Sequence, residues 1–154
     1  MMEPRELVAF AEAAVDQVEP IFRSGLGAQP ARFKGQGDFA TEVDLVIEQQ
    51  LRDILTQMTG IPVYGEESGG SVLDTVWVVD PIDGTANYSA GNPLAGILVA
   101  LIHKGAPVVA VSDFPLLGRR LVTCDGSPLR SVGGPATGFG GGEDAMGFDE
   151  ARGH

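Results

Sequence analysis

The hydrophobic pattern of the chain changes period near Gly60, and that change restricts the fold more than any other feature of the sequence. Before Gly60, two stretches repeat apolar residues at every third or fourth position, which is typical of helices with one buried face. After Gly60, short runs rich in β-branched residues alternate with Gly, Pro, Asp and Ser, which is typical of strands and turns. The order predicts an α+β fold, with two N-terminal helices packed on a largely antiparallel sheet.

The first helix is predicted over 4–23. Pro4 suits the first helical turn, and the glycine-rich stretch that follows Ser24 suits the end of the helix. Pro20 is expected to mark a kink or an early end, because proline lacks the N–H that an interior position donates. A loop is predicted next, over 29–37.

The second helix is predicted to open in the polar cluster 38–44 and to end near Met58. Thr41 and Asp44 have the spacing of a capping box, in which two side chains bond each other's backbone across the first turn. The apolar pattern predicts a buried face made of Leu45, Val46, Leu51, Ile54, Leu55 and Met58.

Five strands are predicted after the helices, and a hairpin loop at 104–106 joins two of them. Within these strands, His103 is expected to be structural, and Cys124 is expected to be a small buried hydrophobe because no group nearby would activate it. The strands span 61–64, 75–79, 95–103, 107–112 and 119–124.

The length of 154 residues argues for one domain rather than two. That domain is predicted over 1–131. Residues 132–154 are rich in glycine and have no periodic apolar pattern, so we expect them to form a disordered tail.

Charge and hydropathy exclude several classes of partner. The chain has 10 Lys and Arg against 21 Asp and Glu, a net charge of −11 that would repel nucleic acid. The longest apolar run, 94–102, is about half of the ~20 residues that a membrane-spanning helix needs. No signal-peptide pattern opens the chain and Cys124 has no partner for a disulfide, so we expect a cytoplasmic protein.

The chemistry lies in two acidic segments, each at the end of a predicted strand. One is Gly65-Glu66-Glu67-Ser68, and the other is Asp80-Pro81-Ile82-Asp83-Gly84-Thr85. Several carboxylates at one edge of a sheet repel each other unless a cation lies between them, and hard oxygen ligands favour Mg²⁺ or Mn²⁺ over zinc. The two segments therefore predict a divalent metal site.

The second segment also suits the binding of an anion. Pro81 fixes the backbone so that Asp80 and Asp83 can face the same point. Gly84 lets the backbone approach a ligand closely, and Thr85 opens a short helical turn whose amides can bind an anion. A metal beside an anion pocket indicates phosphate chemistry.

Each segment alone has an ordinary structural explanation. An Asp-x-x-Asp-Gly sequence is most often a surface turn, and a Glu-Glu pair is most often a solvated edge. The combination, with the hydrophobic strand 76–79 leading directly into Asp80, favours a site.

The same residues carry a family resemblance. The segments 65–68 and 77–88 resemble the signature of the inositol monophosphatase family, within the superfamily of lithium-sensitive, magnesium-dependent sugar phosphatases. Lys34 resembles the family's lysine loop, 38–44 resembles its Asp-x-x-Thr-x-x-Asp helix start, and 91–96 resembles the entry to its next strand. The resemblance covers roughly residues 4–131 and implies the N-terminal half of the family's αβαβα fold.

The resemblance implies a set of metal ligands for two or more Mg²⁺ ions: Glu66, Asp80, the Ile82 carbonyl and Asp83. Glu66 and Asp80 would share the first ion, and Asp80 and Asp83 would share the second. Glu66 is therefore implied as a catalytic residue as well as a metal ligand. Glu67 would orient Glu66 from behind.

The resemblance further implies roles around the substrate. Asp44 and Thr85 would position and deprotonate the attacking water. The amides of Gly84 and Thr85, with Asp83 and Lys34, would bind the substrate.

The implied reaction is the hydrolysis of a small phosphate monoester, inositol monophosphate above all, with Li⁺ as an inhibitor and a homodimer as the assembly. Family members also contain a second α/β half, whose Trp-Asp-x-Ala-type motif has no counterpart in this sequence, where Trp77 is the only tryptophan. We therefore expect a chain truncated after the first half, with apolar surface exposed. The alternative is a weak or inactive member that binds a metal or a protein partner.

Overall fold

The computed structural model describes residues 2–27, 30–35 and 38–133, with the backbone alone over 30–35 and 38–41. Three helices are present in this part of the chain: α1 (Pro4–Ser24), α2 (Glu42–Thr59) and α3 (Thr85–Ser89). Helix α1 continues through Pro20 to Ser24, so the early end considered for it is not observed. The N-terminus of α1 carries a capping box between Glu3 and Glu6, which the sequence reading missed.

A six-stranded sheet begins after α2, and α3 lies between its second and third strands. The strands are β3 (Val63–Gly65), β4 (Thr75–Asp83), β5 (Gly96–His103), β6 (Ala106–Phe114), β7 (Arg119–Cys124) and β8 (Arg130–Gly133). Neighbours in the sheet follow the same order, β3-β4-β5-β6-β7-β8. Only β3 is parallel to its neighbour β4, and the other pairs are antiparallel, so the predicted α+β class is confirmed.

Strand β4 is longer than predicted and contains an irregularity. Asp80 pairs with Leu98 of β5 and Asp83 pairs with Gly96, so two residues of β4 lie opposite one residue of β5. This arrangement is a β-bulge, and it falls inside the acidic segment.

The loop predicted over 29–37 is wrong for most of its length. Residues Pro30–Gly35 form strand β1, which pairs with β2 (Asp38–Thr41) as a separate antiparallel hairpin. The polar cluster 38–44 therefore opens as a strand, and α2 begins at Glu42. A single pair of phenylalanines, Phe33 and Phe39, is all that the sequence offers as a strand pattern here.

Helices α1 and α2 pack on one face of the six-stranded sheet, and the core lies between them. The buried face of α2 differs from the predicted one, since Val46 and Met58 are exposed. The residues of α2 that are buried are Asp44, Ile47, Glu48, Leu51 and Leu55. Leu51 and Leu55 are buried as predicted, but two carboxylates, which hydrophobicity alone did not indicate, also occupy the buried stripe.

A partly buried ionic cluster joins α1 to strands β6 and β7. Asp113 of β6 is 2% exposed and accepts a hydrogen bond of 2.9 Å from Arg120 Nε of β7. Arg120 also contacts Asp16 at 2.7 Å and Glu12 and Glu19 at 3.4 Å, all on α1. Burial, assisted by a hydrogen bond with Glu19, raises the pKa of Asp113 to about 7, and Arg120 opposes that rise.

The other face of the sheet carries apolar side chains that no described residue covers completely. Tyr64 and Val78 are each 38% exposed, and Leu98 and Ala100 are half-buried. Exposed apolar surface was expected from the sequence.

The remaining predictions on local structure have mixed outcomes. Lys104 and Gly105 both have positive φ and form the two-residue turn of the predicted hairpin. Cys124 is buried as expected, and His103 Nδ1 lies 2.6 Å from Thr75 Oγ1. The Thr41 side chain and residues 134–154, including most of the predicted tail, lie outside the described residues.

No helix in the described part of the chain has the length and apolar character to cross a membrane.

Candidate active site

The two acidic segments meet because β3 and β4 run in the same direction. Gly65 pairs with Val79, so the turn after β3 and the acidic end of β4 lie at the same edge of the sheet. The amide of Glu66 donates to the Val79 carbonyl at 3.2 Å and holds the two segments together. Side chains from both segments can therefore act on one ligand.

The turn 65–69, which carries Glu66 and Glu67, is tightly bonded. Gly65 and Gly69 exchange backbone hydrogen bonds of 3.0 and 2.8 Å. The amides of Glu67 and Ser68 donate to the two carboxylate oxygens of Glu48 on α2, each at 2.7 Å. The Ser68 hydroxyl also donates to Glu48.

Glu48 was missed by the sequence reading. Its side chain is 1% exposed and lies 3.6 Å from Arg52 Nη2, one turn further along α2. The available signal was the spacing of Glu48 and Arg52 by four residues, which suits an ion pair on a helix. That spacing does not say that the pair faces inward.

Asp80 is the most perturbed acid at the site. Burial is the largest cause, and a hydrogen bond with Glu66 together with the charges of Glu66 and Asp83 raises the pKa of Asp80 further, to about 8. The Ile82 amide opposes this rise by hydrogen bonding to the carboxylate. Glu66 and Asp83 thus lie close enough to disfavour the charge of Asp80.

These residues fit a divalent cation in their chemistry. Asp80 Oδ1 is buried, and no described residue donates a hydrogen bond to it. Within the described ranges, no three His, Cys, Asp or Glu side chains already form a metal cage. The core of the site is the contact between Glu66 and Asp80, with Asp83 beside it, and a cation would relieve the repulsion among them.

Asp44 and Thr85 form a second pair next to the acids. Asp44 of α2 is fully buried and accepts a hydrogen bond from the Thr85 hydroxyl at 3.2 Å. The same hydroxyl lies 3.1 Å from the Ile82 carbonyl, so Thr85 has two acceptors for one hydrogen. Burial and the charge of Asp44 raise the pKa of Tyr88 to about 12.

The short helix α3 is fixed from both sides. Gly84 precedes it with a φ of 86°, a left-handed conformation that other residues rarely adopt. A Cβ at Gly84 would also lie 3.1 Å from the Leu94 carbonyl. Tyr88 donates to the Phe22 carbonyl of α1 at 2.6 Å, and Asn87 donates to Leu94 at 2.9 Å.

Known proteins share this arrangement of sequence and fold. The sequence model of the inositol monophosphatase family matches residues 3–137. The chain belongs to the inositol monophosphatase family.

Two relatives of this family member are phosphatases by name. It is 47% identical over 131 residues to the probable inositol 1-monophosphatase ImpA of Mycobacterium tuberculosis, a match that covers 84% of this chain and 48% of that protein. A histidinol-phosphatase of the same organism is 38% identical over 115 residues, covering 71% of this chain and 44% of that protein.

Solved structures show the same fold. An IMPase of Thermotoga maritima matches with a TM-score of 0.74 and 25% identity, over 79% of this chain and 49% of that one. SuhB of Mycobacterium tuberculosis matches with a TM-score of 0.68 and 28% identity, over 85% of this chain and 49% of that one. The chain spans about half the length of the relatives it matches.

The structure of this family member brings most of the predicted site residues to one edge of the sheet. Lys34 is the exception, because only its backbone is described, in strand β1. A pocket of about 580 Å³ opens on the uncovered face of the sheet and reaches Glu66 and Asp80. Its other walls include Tyr64, Val78, Leu98, Ala100, Ala110 and Ser112.

Proposed function

We propose that this chain carries the catalytic acids of a Mg²⁺-dependent phosphatase that hydrolyses a small phosphate monoester, with inositol monophosphate as the substrate. The observation that carries the proposal is the contact between Glu66 and Asp80 beside the hydrogen bond from Thr85 to Asp44. Family membership supports the reaction class.

Glu66, Asp80, Asp83 and the Ile82 carbonyl would hold the magnesium. When bound, the ions neutralise phosphoryl oxygens, lower the pKa of water and stabilise the leaving alkoxide. The buried, unbonded Asp80 Oδ1 supports this assignment. Glu67 lies in the same turn as Glu66, and we assign it the role of orienting Glu66 and nearby water.

Thr85 and Asp44 suit proton removal from the attacking water. Asp44 is fully buried, so Thr85, which is half-buried, is the member of the pair that faces solvent. While the Thr85 hydroxyl donates to Asp44, its oxygen can accept a hydrogen bond from water, so a proton that leaves the water for Thr85 is balanced by the transfer of the Thr85 proton to Asp44. Asp44 acts through Thr85 and not by direct contact.

The substrate would lie where the acidic segment turns into α3. The amides of Gly84 and Thr85 are assigned to the phosphate, and the open backbone at Gly84 supports a close approach. Asp83, at the exposed end of β4, is assigned to the substrate as well as to the metal. Lys34 is assigned to the substrate on the family resemblance alone.

The experiment is a colorimetric assay of phosphate release with Mg²⁺. The substrates are inositol 1-phosphate and histidinol phosphate, because the relatives are named for both. Thr85→Val keeps the side-chain shape but removes the hydroxyl, and we expect release to fall about 10²–10⁴-fold. Thr56→Val, on the exposed side of α2, is the matched control and should leave release unchanged.

Failure to release phosphate from either ester would contradict the proposed function. An unchanged rate in Thr85→Val would contradict the role of Thr85 alone. Inhibition by Li⁺, which the family resemblance implies, is measured in the same assay.

The wider context of the protein is also proposed. We infer a cytoplasmic homodimer that acts on a phosphorylated polyol or sugar, with no nucleic-acid or membrane partner. We also infer the family domain that was predicted over 1–131 and a disordered tail after it, although Val132 and Gly133, the first two residues of the predicted tail 132–154, lie in strand β8. Sedimentation velocity and hydrogen exchange test the dimer and the tail.

A second candidate function is supported by the uncovered sheet face. Tyr64 and Val78 are each 38% exposed, and the chain spans about half of its relatives. In this alternative, the chain binds a metal or a protein partner and has weak or no catalytic activity. Calorimetry that shows two tight Mg²⁺ sites together with full turnover would exclude it.

A further inference from the structure

We propose that Glu48 and Arg52 of α2, called the brace below, set the metal affinity of the candidate site by fixing the turn 65–69. The inference rests on the proposed function, because it assumes that Glu66 in that turn is a metal ligand. Glu48 and Arg52 are positioning residues and do not contact the metal themselves.

The backbone of the turn is fully bonded, and the brace supplies a large share of the partners. All five amides from Gly65 to Gly69 donate a hydrogen bond. Two of the five, those of Glu67 and Ser68, end on the Glu48 carboxylate. The amides on either side of this pair bond to Val79 and to Gly65.

The local sequence is shaped to admit the Glu48 carboxylate. Gly65 packs directly against it, and a Cβ at this position would overlap the carboxylate atoms. A carboxylate that is 1% exposed is costly to bury unless its oxygens are bonded. Here both oxygens accept hydrogen bonds from backbone amides, which compensate the cost of burying the carboxylate. The same two bonds fix the backbone of the turn.

Arg52 connects the strand that enters the turn to the residue that ends it. Its Nη1 donates to the Val63 carbonyl at 2.6 Å, and its Nη2 donates to the Gly69 carbonyl at 2.8 Å. Nη2 also donates to Ser68 Oγ at 3.0 Å and lies 3.6 Å from Glu48. The start and the end of the turn are thus attached to one helix.

This attachment matters because the turn holds Glu66 against Asp80. A loose turn would let Glu66 occupy many positions whenever the cation is absent. A cation would then have to order the turn as it binds, and that cost would weaken its affinity. The brace orders the turn when the protein folds, so cation binding does not have to order it.

The test uses Mn²⁺ as the probe, with free Mn²⁺ counted by electron paramagnetic resonance. Glu48→Gln keeps the shape of the side chain but replaces one carboxylate oxygen with an NH₂ group. The backbone amide of Glu67 or Ser68 then faces a donor where it needs an acceptor. We expect Mn²⁺ to bind about 10-fold more weakly or worse, the scale seen when partners of metal ligands are removed. Asp53→Asn, the same type of change on the exposed side of α2, should leave the affinity unchanged.

A role in folding alone would give a different result. Thermal unfolding is measured for each variant, and Mn²⁺ titrations are done well below the melting temperature. A variant that is only less stable would bind Mn²⁺ normally at that temperature. An affinity that falls while circular dichroism shows an intact fold supports positioning.

Glu66→Gln separates failure of this inference from failure of the proposed function. Weak binding in Glu66→Gln with normal binding in Glu48→Gln would overturn the brace and leave the metal site standing. Normal binding in Glu66→Gln, or no binding by the unaltered chain, would overturn the proposed site and the brace together.

Arg52→Lys carries the test if Glu48→Gln does not fold. Lysine keeps the charge but cannot donate to both carbonyls from a planar group. We expect Mn²⁺ to bind about 3-fold to 10-fold more weakly. This effect is smaller than the ~10–100-fold loss that is usual when the partner of a metal ligand is removed, because lysine can keep one of the two bonds to the carbonyls. Unchanged affinity in a folded Arg52→Lys protein would overturn the inference.

Discussion

The carboxylates buried under the helices and the carboxylates at the acidic edge of the sheet differ in the charges that face them. On the helix-covered side, Asp113 is paired with Arg120, and Glu48 is paired with Arg52. At the acidic edge, Asp80 meets the negative charges of its acidic neighbours, and burial has already raised its pKa. Each acid of the first group has an arginine beside it, although Asp113 Oδ2 has no hydrogen-bond partner among the described residues, whereas the charges that act on Asp80 are all negative. The predictions below test that difference.

The largest effect on stability is expected from Arg120→Met. The change leaves Asp113 buried without its cation and removes the partner of three acids on α1. We expect a loss of about 3–5 kcal/mol in the free energy of unfolding, measured with urea. The double variant with Asp113→Leu should recover part of that loss. A loss below about 1 kcal/mol in the single variant would remove the contrast with Asp80.

Asp80→Asn should act in the opposite direction on stability. Asp80 must take up a proton or repel its neighbours when the protein folds, whereas asparagine is neutral throughout. At pH 7 without metal, we expect the variant to be more stable by about 1 kcal/mol or more. Mn²⁺ affinity should fall about 100-fold, the upper end of the range for disturbed metal sites.

Thermal unfolding and Mn²⁺ titration check the Asp80→Asn prediction together. Asp53→Asn on α2 is the control and should change neither quantity. A destabilised Asp80→Asn protein would contradict this prediction, because it would mean that the Asp80 carboxyl group stabilises the fold.

Stability should also depend on pH through Asp113. Its pKa is raised from 3.8 to about 7, so the folded state binds the proton more tightly than the unfolded state. The stabilising contribution of Asp113 to the free energy of unfolding is fully present below about pH 4 and is lost as the pH rises to about 7. Glu19 and Arg120 face this group, and the lowered pKa of Glu19 acts in the opposite sense, mainly below this window.

The pH prediction is measured as a difference in unfolding free energy between Asp113→Asn and its parent. Both proteins carry Asp80→Asn, which removes the slope that Asp80 contributes up to about pH 8. The parent should lose stability relative to Asp113→Asn between pH 4 and pH 7. A constant difference across this range would contradict the assignment.

The smallest effect on stability is expected at an exposed ion pair on α1. Arg23 lies 3.6 Å from Glu19, and their side chains are 50% and 24% exposed. Because solvent screens such a pair, Arg23→Ala should cost less than about 1 kcal/mol. A loss as large as that of Arg120→Met would show that burial does not separate the two arginines.

The sequence predicted the helices and most of the sheet because the apolar period is strong in both. It missed the β1–β2 hairpin, where Phe33 and Phe39 provide too little alternation. It also placed Val46 and Met58 of α2 in the core, where the structure has Asp44 and Glu48 beside the correctly predicted Leu51 and Leu55. Asp44 and Glu48 are buried because they bond to Thr85 and to the turn after β3, and those partners are distant in sequence.

The candidate site was more predictable than its supports. Strand ends mark Glu66 and Asp80 in the sequence, and the parallel pairing of β3 with β4 brings them together. Arg52 carries no such mark, because surface helices often contain the same spacing of charges. Only the three-dimensional structure shows which charged pairs face inward.

The bulge in β4 changes which way the strand presents its side chains. In a regular strand, residues three positions apart point to opposite faces, so Asp80 and Asp83 would be separated by the sheet. The bulge shifts this alternation by one, and the charge of Asp83 acts on Asp80. The Asp-x-x-Asp spacing is thus usable only with the irregularity. Deleting Pro81 or Ile82 would remove the extra residue, and a regular strand would then present the two acids, now two positions apart, on the same face without a bulge.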